Sequence, residues 1–532
     1  MRQTGSGFGR HRRLIPKQAE ARMERVISDS KSSQSALPGS PPAGITVPGT
    51  GDNLKWFLAI LLMAAFWVTL ARFDYPQPHG SDDLVFIGPA SGLMEFHELR
   101  NPYLQEYNRQ NAYQSSKFYQ FPPFHAYVLL AWIKVFSLSA ASLLLFQACC
   151  NLAFSLFFGL CLRNFGVGVA CALGSLPLYA FYIRFCGLRP ESLAFACVAA
   201  GVWVLSRRDF KGSIFAGATL LCAAVMLHPG MMFFGFFLGA GLFILKFRSR
   251  PGKPGPKAFA IMAQTALAIG LVGGLFLLSI DGDLRGFLTD FRHHSNIAGV
   301  APGAGPALQF MLEILAHRSN KFINLPIALF SGILVIRGVW SNRNNFRGFV
   351  MAASLAAATM CYVFLVRAAY YRLWPALFVL VVMGWVAASS GPDVRRRRLL
   401  ASAFTFLFCL QILPYSIARL CGGKPDTAHL DAIRSEVLSH TNAVVILGDH
   451  ASRYVFDHKY HPGFLAELFT IGKPSSIDPQ MIRESLSSET LKRASVVLVV
   501  LQVPNPPVKL FGTTFKSVNA SQYRFQILTY PQ

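Results

Sequence analysis

The sequence predicts an α-helical, polytopic integral membrane protein that crosses the bilayer about eleven times. Three observations predict it. Hydrophobic residues make up 53% of the 532 positions and charged residues only 14%, with a mean hydropathy of +0.39, a balance soluble proteins of this length rarely show. Apolar runs of about 17–23 residues recur along the chain, each long enough as a helix to span about 30 Å of hydrocarbon. Lys and Arg fall in short clusters between those runs. A net charge of +24 on one continuous face would point to nucleic acid; distributed this way it reflects membrane topology, so the bilayer is the expected partner and nucleic acid is not.

Residues 1–53 are polar, basic and rich in Ser, Gly and Pro. They cannot bury enough apolar surface to fold alone and are expected to be a disordered cytosolic tail. The first apolar run, Trp56 to Ala71, starts too late for a signal peptide and lacks a small-residue cleavage site, so it should remain as an anchor. Phe124 to Phe136 is a short run of about 13 residues. Further runs fall at about 140–162, 165–183, 190–205, 213–228, 230–247, 258–280, 322–338, 348–366, 372–389 and 399–418. Together they make a transmembrane domain over 54–420.

Orientation follows from the basic connections at Arg207, Arg208 and Lys211, at Lys246 to Lys257, at Arg337, Arg343 and Arg347, and at Arg395 to Arg398. Placing all of them and the N-terminus in the cytosol requires one net crossing between 122 and 162. Phe124 to Phe136 is therefore expected to lie in the interface or to re-enter, as its length independently suggests. The first external loop then spans 73–123, and its aromatic composition predicts juxtamembrane helices. A second external loop, 281–321, reads as solvated and mobile. Residues 421–532 read as a small extracytoplasmic α/β domain, with strands near Val444 to Gly448 and Val496 to Val503 and a helix near Ile482 to Lys492. Of the ten cysteines, nearly all lie inside apolar runs and read as small core residues without metal-ligand spacing.

Candidate functional residues gather at the predicted external edge. Asp82 and Asp83 follow the first span. Their structural role would be to cap a helix beginning at Leu84; their chemical role would be to take a proton. Tyr103, in the string NPY, and Tyr119, in YQFPPF, stand later in the same loop. Arg189 and Glu191 lie in RPES at the start of a span, where a Pro-initiated helix with an interfacial arginine is the simpler reading. His228, in HPG, ends another. Arg367, Tyr370, Tyr371 and Arg372 form RAAYYR, and two external arginines run against the positive-inside trend, so a lipid phosphate is a fitting partner. Asp283, Arg292, His293 and His294 could hold a divalent metal, although their spacing fits a solvated loop better; no cofactor is certain from the sequence, and metal dependence stays open.

The acidic pair after the first span, Phe86 four positions beyond Asp82, NPY at 101–103 and the closing YQFPPF together resemble the GT-C superfamily of integral membrane glycosyltransferases. The pattern is most similar to the branch of protein O-mannosyltransferases and aminoarabinose transferases, and to polyprenol-phosphate-mannose-dependent mannosyltransferases. Those families carry Asp followed by Glu or an apolar residue, with Tyr four beyond the Asp; here the residues are Asp82, Asp83 and Phe86. The resemblance implies a GT-C-like fold and an inverting hexosyl- or pentosyltransferase of the cell envelope. It implies a polyprenyl-phosphate sugar donor, an acceptor that is a glycan, a lipid-linked saccharide or a protein hydroxyl, and a site on the outer face of a bacterial-type inner membrane. Asp82 would be the base, with Asp83 orienting the acceptor or tuning its neighbour. Arg189, His228, Arg367, Tyr370, Tyr371 and Arg372 would meet the donor phosphate, and Glu191, Tyr103, Tyr119, His293 and His294 would line the substrate loops. Competing readings are a transporter or flippase of a lipid-linked saccharide, a ligase or polymerase of cell-surface glycans, and a non-catalytic scaffold. A transporter would place charges deep in the spans rather than at one edge.

Overall fold

A computed structural model describes residues 50–74, 83–101, 121–164, 188–207, 212–249 and 254–297, with Lys117, Tyr119, isolated helical positions and six strands between 443 and 531; among these described residues are nine α-helices, seven of them on predicted apolar runs. The chain divides between Leu54 and Lys55; beyond the first turn of α1, everything below belongs to the second unit. In order the helices are α1 Thr50–Asp74, α2 Asp83–Phe96, α3 Phe124–Phe136, α4 Ala140–Asn164, α5 Glu191–Ser206, α6 Ser213–Leu227, α7 Met232–Ser249, α8 Pro254–Ser279 and α9 Leu284–Ile297. Among the described residues, four segments are long and apolar enough to cross a membrane: Leu54–Ala71, Ala141–Cys161, Pro229–Arg248 and Pro254–Ser279. The predicted runs at 322–338, 372–389 and 399–418, and most of 165–183 and 348–366, lie outside the described residues.

Each span shows how a membrane helix divides its faces. On α1, Trp56, Ala59, Met63 and Trp67 are buried at helical spacing, while Phe57, Leu58, Leu61, Leu62 and Val68 are exposed, the stripe and complement expected of a helix packed on one side and bathed in lipid on the others. Its partner is α4, where Trp67 Nε1 donates to Ser155 Oγ at 3.0 Å. Gln147, Asn151 and Ser155 recur every four residues on α4 and are all buried, a polar seam of the kind that holds membrane helices together when lipid offers no hydrophobic drive. Cys150 and Cys161 are buried and free, as expected of small core residues, whereas Cys149 is exposed.

Helices α5 to α8 alternate in direction, which sorts their ends into two sets. At one end Lys246 of α7 donates to the Arg207 carbonyl and, at 2.8 Å, to Ser213 Oγ. It thereby closes the C-terminus of α5 onto the start of α6, where a cation suits the helix end. Lys257 of α8 sits 5.5 Å from the Phe247 ring at this same end. At the other end lie Glu191, His228, Ser279 and Ile280. Helix α4 runs parallel to α5, with Phe154 6.1 Å from Phe195 and Phe157 5.7 Å from Trp203.

The short helix α3 has 13 residues, about 20 Å at helical rise, and does not run the depth of the bundle. It pairs with α2 through Ile87, Ala90, Leu129 and Ile133, in one cluster with Leu143 and Phe146 of α4 and with Leu188. That contact set places it at the end where α5 begins.

The predicted mobile loop after residue 281 is instead helical at its start, which revises that expectation. Helix α8 ends in a paired C-cap: Gly282 N donates to the Leu277 carbonyl at 2.8 Å and Asp281 N to the Leu278 carbonyl at 3.2 Å. Asp281 takes the left-handed position with φ 53, where Gly is usual and Asp is among the tolerated substitutes. Asp283 then caps α9, its Oδ1 accepting from Gly286 N at 2.9 Å. Asp283 is thus a helix cap.

Strands β1 Ala443–Leu447, β2 Val496–Leu501, β5 Lys516–Val518 and β6 Gln526–Pro531 form a sheet in the order β1-β2-β6-β5, beside a two-stranded pair of β3 Lys509–Leu510 and β4 Thr513–Thr514. β1 and β2 are parallel, with Ala443 opposite Val496; β6 is antiparallel to both β2 and β5. The expected helix near 482–492 lies outside the described residues.

Candidate functional site

Two X-Pro steps build the centre of the site. Pro190 is the N-cap residue of α5, and Pro229 opens a 3-10 turn after α6 with His228 extended at φ −145. Proline disfavours helical backbone in the residue before it, so Arg189 is left ahead of one helix and His228 beyond another. Glu191, the first residue of α5, stands where a helix N-terminus favours an acid. The three side chains meet. Arg189 Nε lies 2.8 Å from Glu191 Oε1, and His228 Nε2 lies 3.6 Å from the same oxygen. All three residues are nearly fully buried, at 6%, 4% and 6% exposure, so their electrostatics act with little solvent screening. The second carboxylate oxygen, Glu191 Oε2, is buried and has no hydrogen-bond partner among the described residues, and the same holds for Ser192 Oγ.

The first loop closes over this cluster. Phe86 of α2 places its ring 5.1 Å from the Arg189 guanidinium carbon, a cation–π contact that tolerates a cation in a dry site. Phe121 lies 5.0 Å from Phe86, and His125 stands edge-on to it at 6.1 Å. His125 Nε2 donates to the Leu188 carbonyl at 2.8 Å. A carbonyl can only accept, so this nitrogen carries the proton and Nδ1 is the bare one in the neutral ring. His125 therefore pins the turn that presents Arg189.

Gly88 lets α2 approach so closely. A Cβ on Gly88 would overlap the side chain of Asn101, and one on Gly92 would overlap the Arg100 carbonyl, so Arg100 and Asn101 lie flush against the helix. Asn101 is 1% exposed.

On the far side of the loop, Tyr119 is fully buried and its hydroxyl donates to the Ile280 carbonyl at 3.1 Å. Burial pushes the Tyr119 phenol pKa above its ordinary value. Lys117 Nζ reaches Asp281 Oδ2 at 2.9 Å, and the Tyr127 hydroxyl donates to the Ser279 carbonyl at 3.1 Å. Loop 1, the start of α5, the end of α6 and the α8–α9 turn thus share one end of the bundle.

Of the residues predicted from sequence, Arg189, Glu191 and His228 come together, with Phe86 against them. Asp83 is the first residue of α2, one turn ahead of Phe86, and its side chain lies outside the described residues. So do Asp82, Tyr103, Arg367, Tyr370, Tyr371 and Arg372. Tyr119 serves the loop–α8 junction rather than the ion cluster. His293 and His294 fall within α9, their side chains outside the described residues. Among the described residues no group of three or more His, Cys, Asp and Glu side chains is arranged to hold a metal ion. Sequence reasoning missed His125 and Asn101; His125 follows the string YQFPPF and Asn101 opens NPY, but neither residue type announces burial.

Apolar helices long enough to cross a membrane, with a helix-bearing first loop at one end, define an integral membrane protein. No family model matches the sequence, and no curated protein sequence matches it. Among solved structures, the chain is similar to ArnT from Cupriavidus metallidurans, crystallised bound to undecaprenyl phosphate. The TM-score is 0.55 at 14% identity, over 89% of this chain and 98% of that one. At that identity the likeness is one of fold.

Proposed function

We propose that this protein is an inverting glycosyltransferase that moves a sugar from a polyprenyl-phosphate donor to a hydroxyl of a glycan, a lipid-linked saccharide or a protein. The observation that carries the reading is the buried Arg189–Glu191–His228 cluster packed against Phe86 of α2, the helix whose first residue is Asp83. Cations held by a fixed carboxylate in a dry site can stabilise a departing lipid phosphate without reorganising. A carboxylate at the head of α2 supplies what the acceptor hydroxyl needs, a group to take its proton as the new bond forms. A single displacement needs one such base and inverts the anomeric centre. The fold shared with ArnT, whose crystal structure holds undecaprenyl phosphate, supports the donor class. Asp82 is the proposed base and Asp83 the orienting group; Arg367, Tyr370, Tyr371 and Arg372 are proposed to join the phosphate contacts.

The site end lies opposite the basic connections around Arg207 and Lys246 to Lys257. With those in the cytosol, the reaction takes place at the outer face, and residues 421–532 stand outside as a small α/β domain.

The test is transfer by the purified, reconstituted chain from a panel of polyprenyl-phosphate sugars. Asp82→Asn should lower turnover about 100-fold or more, with donor binding retained. Equal turnover would remove Asp82 as the base, and loss in Asp83→Asn alone would exchange the two roles. If the wild type neither transfers nor hydrolyses any donor, the transferase reading fails and the transporter reading takes its place.

A further inference from the structure

Helix α9 has an edge that the site does not use. Its apolar residues Leu284, Phe287, Leu288 and Phe291 fall at helical spacing on one side, and the structure divides them in two. Phe287 is buried, edge-on to Phe276 at 5.0 Å and to Tyr119 at 5.9 Å, with Phe291 stacked on it at 5.6 Å. Leu284 and Leu288, one turn apart, stay exposed at 43% and 46%. Arg285 and Arg292 are exposed and, seven residues apart, project from the same flank, next to the leucines.

What faces this edge follows from its neighbours. Helix α8, 26 residues and about 39 Å long, leaves Leu275, Leu277 and Leu278 exposed up to its last turn, and that apolar surface continues through the tight turn at Asp281 and Gly282 into α9. The carboxylates close by are committed elsewhere: Asp281 to Lys117, Asp283 to the α9 cap, and Asp290 to the interior, 2% exposed. The exposed edge therefore carries two leucines and two cations. We propose that α9 is a bilayer-surface helix, seating Leu284 and Leu288 among lipid chains while Arg285 and Arg292 hold the phosphates of anionic phospholipids. Because Phe287 packs on Tyr119, this anchor fixes the first loop at the height of the headgroups. The assignment stands whether or not the chain is a transferase.

The full chain, carrying a benzoylphenylalanine photo-crosslinker at 288 or, as control, at 289, is reconstituted in phosphatidylcholine with or without phosphatidylglycerol. Adducts to lipid chains are expected at 288, among the leucines, and markedly fewer at 289, on the arginine flank beside the headgroups. Phosphatidylglycerol should raise the yield at 288 by about five-fold per arginine, an increment lost in the R285Q/R292Q double variant. Equal lipid adducts at both positions, crosslinks from 288 to a second copy or to another segment of the chain, or an increment that survives the double substitution would each overturn the proposal.

Discussion

Glu191 is the residue on which most of the site depends. One of its oxygens holds a guanidinium from the turn ahead of α5 and an imidazole from just beyond α6. Replacing it with Gln removes the carboxylate charge that the buried Arg189 Nε and His228 Nε2 face, and breaking a buried pair from one side costs about 3–5 kcal/mol. The E191Q protein should therefore lose that much stability in a denaturant titration in detergent, and a change within a few tenths would show the pair to be solvated. Gly88 makes a separate case. Gly88→Ala forces a methyl into Asn101, an overpacking worth about 1–3 kcal/mol. In the G88A/N101A double variant that penalty should largely disappear, which a double-mutant cycle reads directly.

At the scale of elements, the caps and junctions of the site end are the parts open to measurement. Asp283→Ala removes the cap of α9 at a cost of about 1 kcal/mol, visible as faster hydrogen exchange across 284–290 with the spans unaffected. The Lys117–Asp281 contact responds to pH. The hydrogen bond to Asp281 holds the Lys117 ammonium above its ordinary pKa of 10.5, so the contact's contribution is complete below 10.5 and is lost as pH rises through the raised folded value. Lys117→Arg should keep the loop–α8 junction protected past that point, where the native lysine lets it loosen. The apolar runs announced most of these elements: α1, α3, α4, α5, α6, α7 and α8 lie within a few residues of the predicted boundaries. Helix α9 was not legible because its polar half, with Arg292, His293 and His294 beside a Gly- and Pro-rich stretch, mimics a solvated loop. Its periodic trace is confined to the spacing of Leu284, Phe287, Leu288 and Phe291.

For the whole molecule, sequence and structure meet on sidedness. Charge bias alone put Arg189, His228 and the loop after 281 on one side; the contacts of His125 with Leu188, and of Tyr119 with Ile280, bring them to one end of the bundle. The Arg189–Pro190 and His228–Pro229 steps were readable because proline has a fixed backbone consequence. The closing of the first loop over them was not, since it depends on Gly88 meeting Asn101 and on a buried imidazole, neither of which leaves a periodic trace. A cysteine-accessibility scan should find 281–283 labelled from the outside and 208–211 only after permeabilisation; the reverse would invert the orientation.

The bond from His125 to the Leu188 carbonyl also bears on how such chains can be recombined. A chimaera cut at the end of the first loop would keep the loop and lose the residue that ties it to the turn before α5. The unit that can be exchanged as a whole thus runs from the end of α1 through Phe136 and takes the 188–191 turn with it. Swaps along that boundary should preserve expression where shorter ones fail.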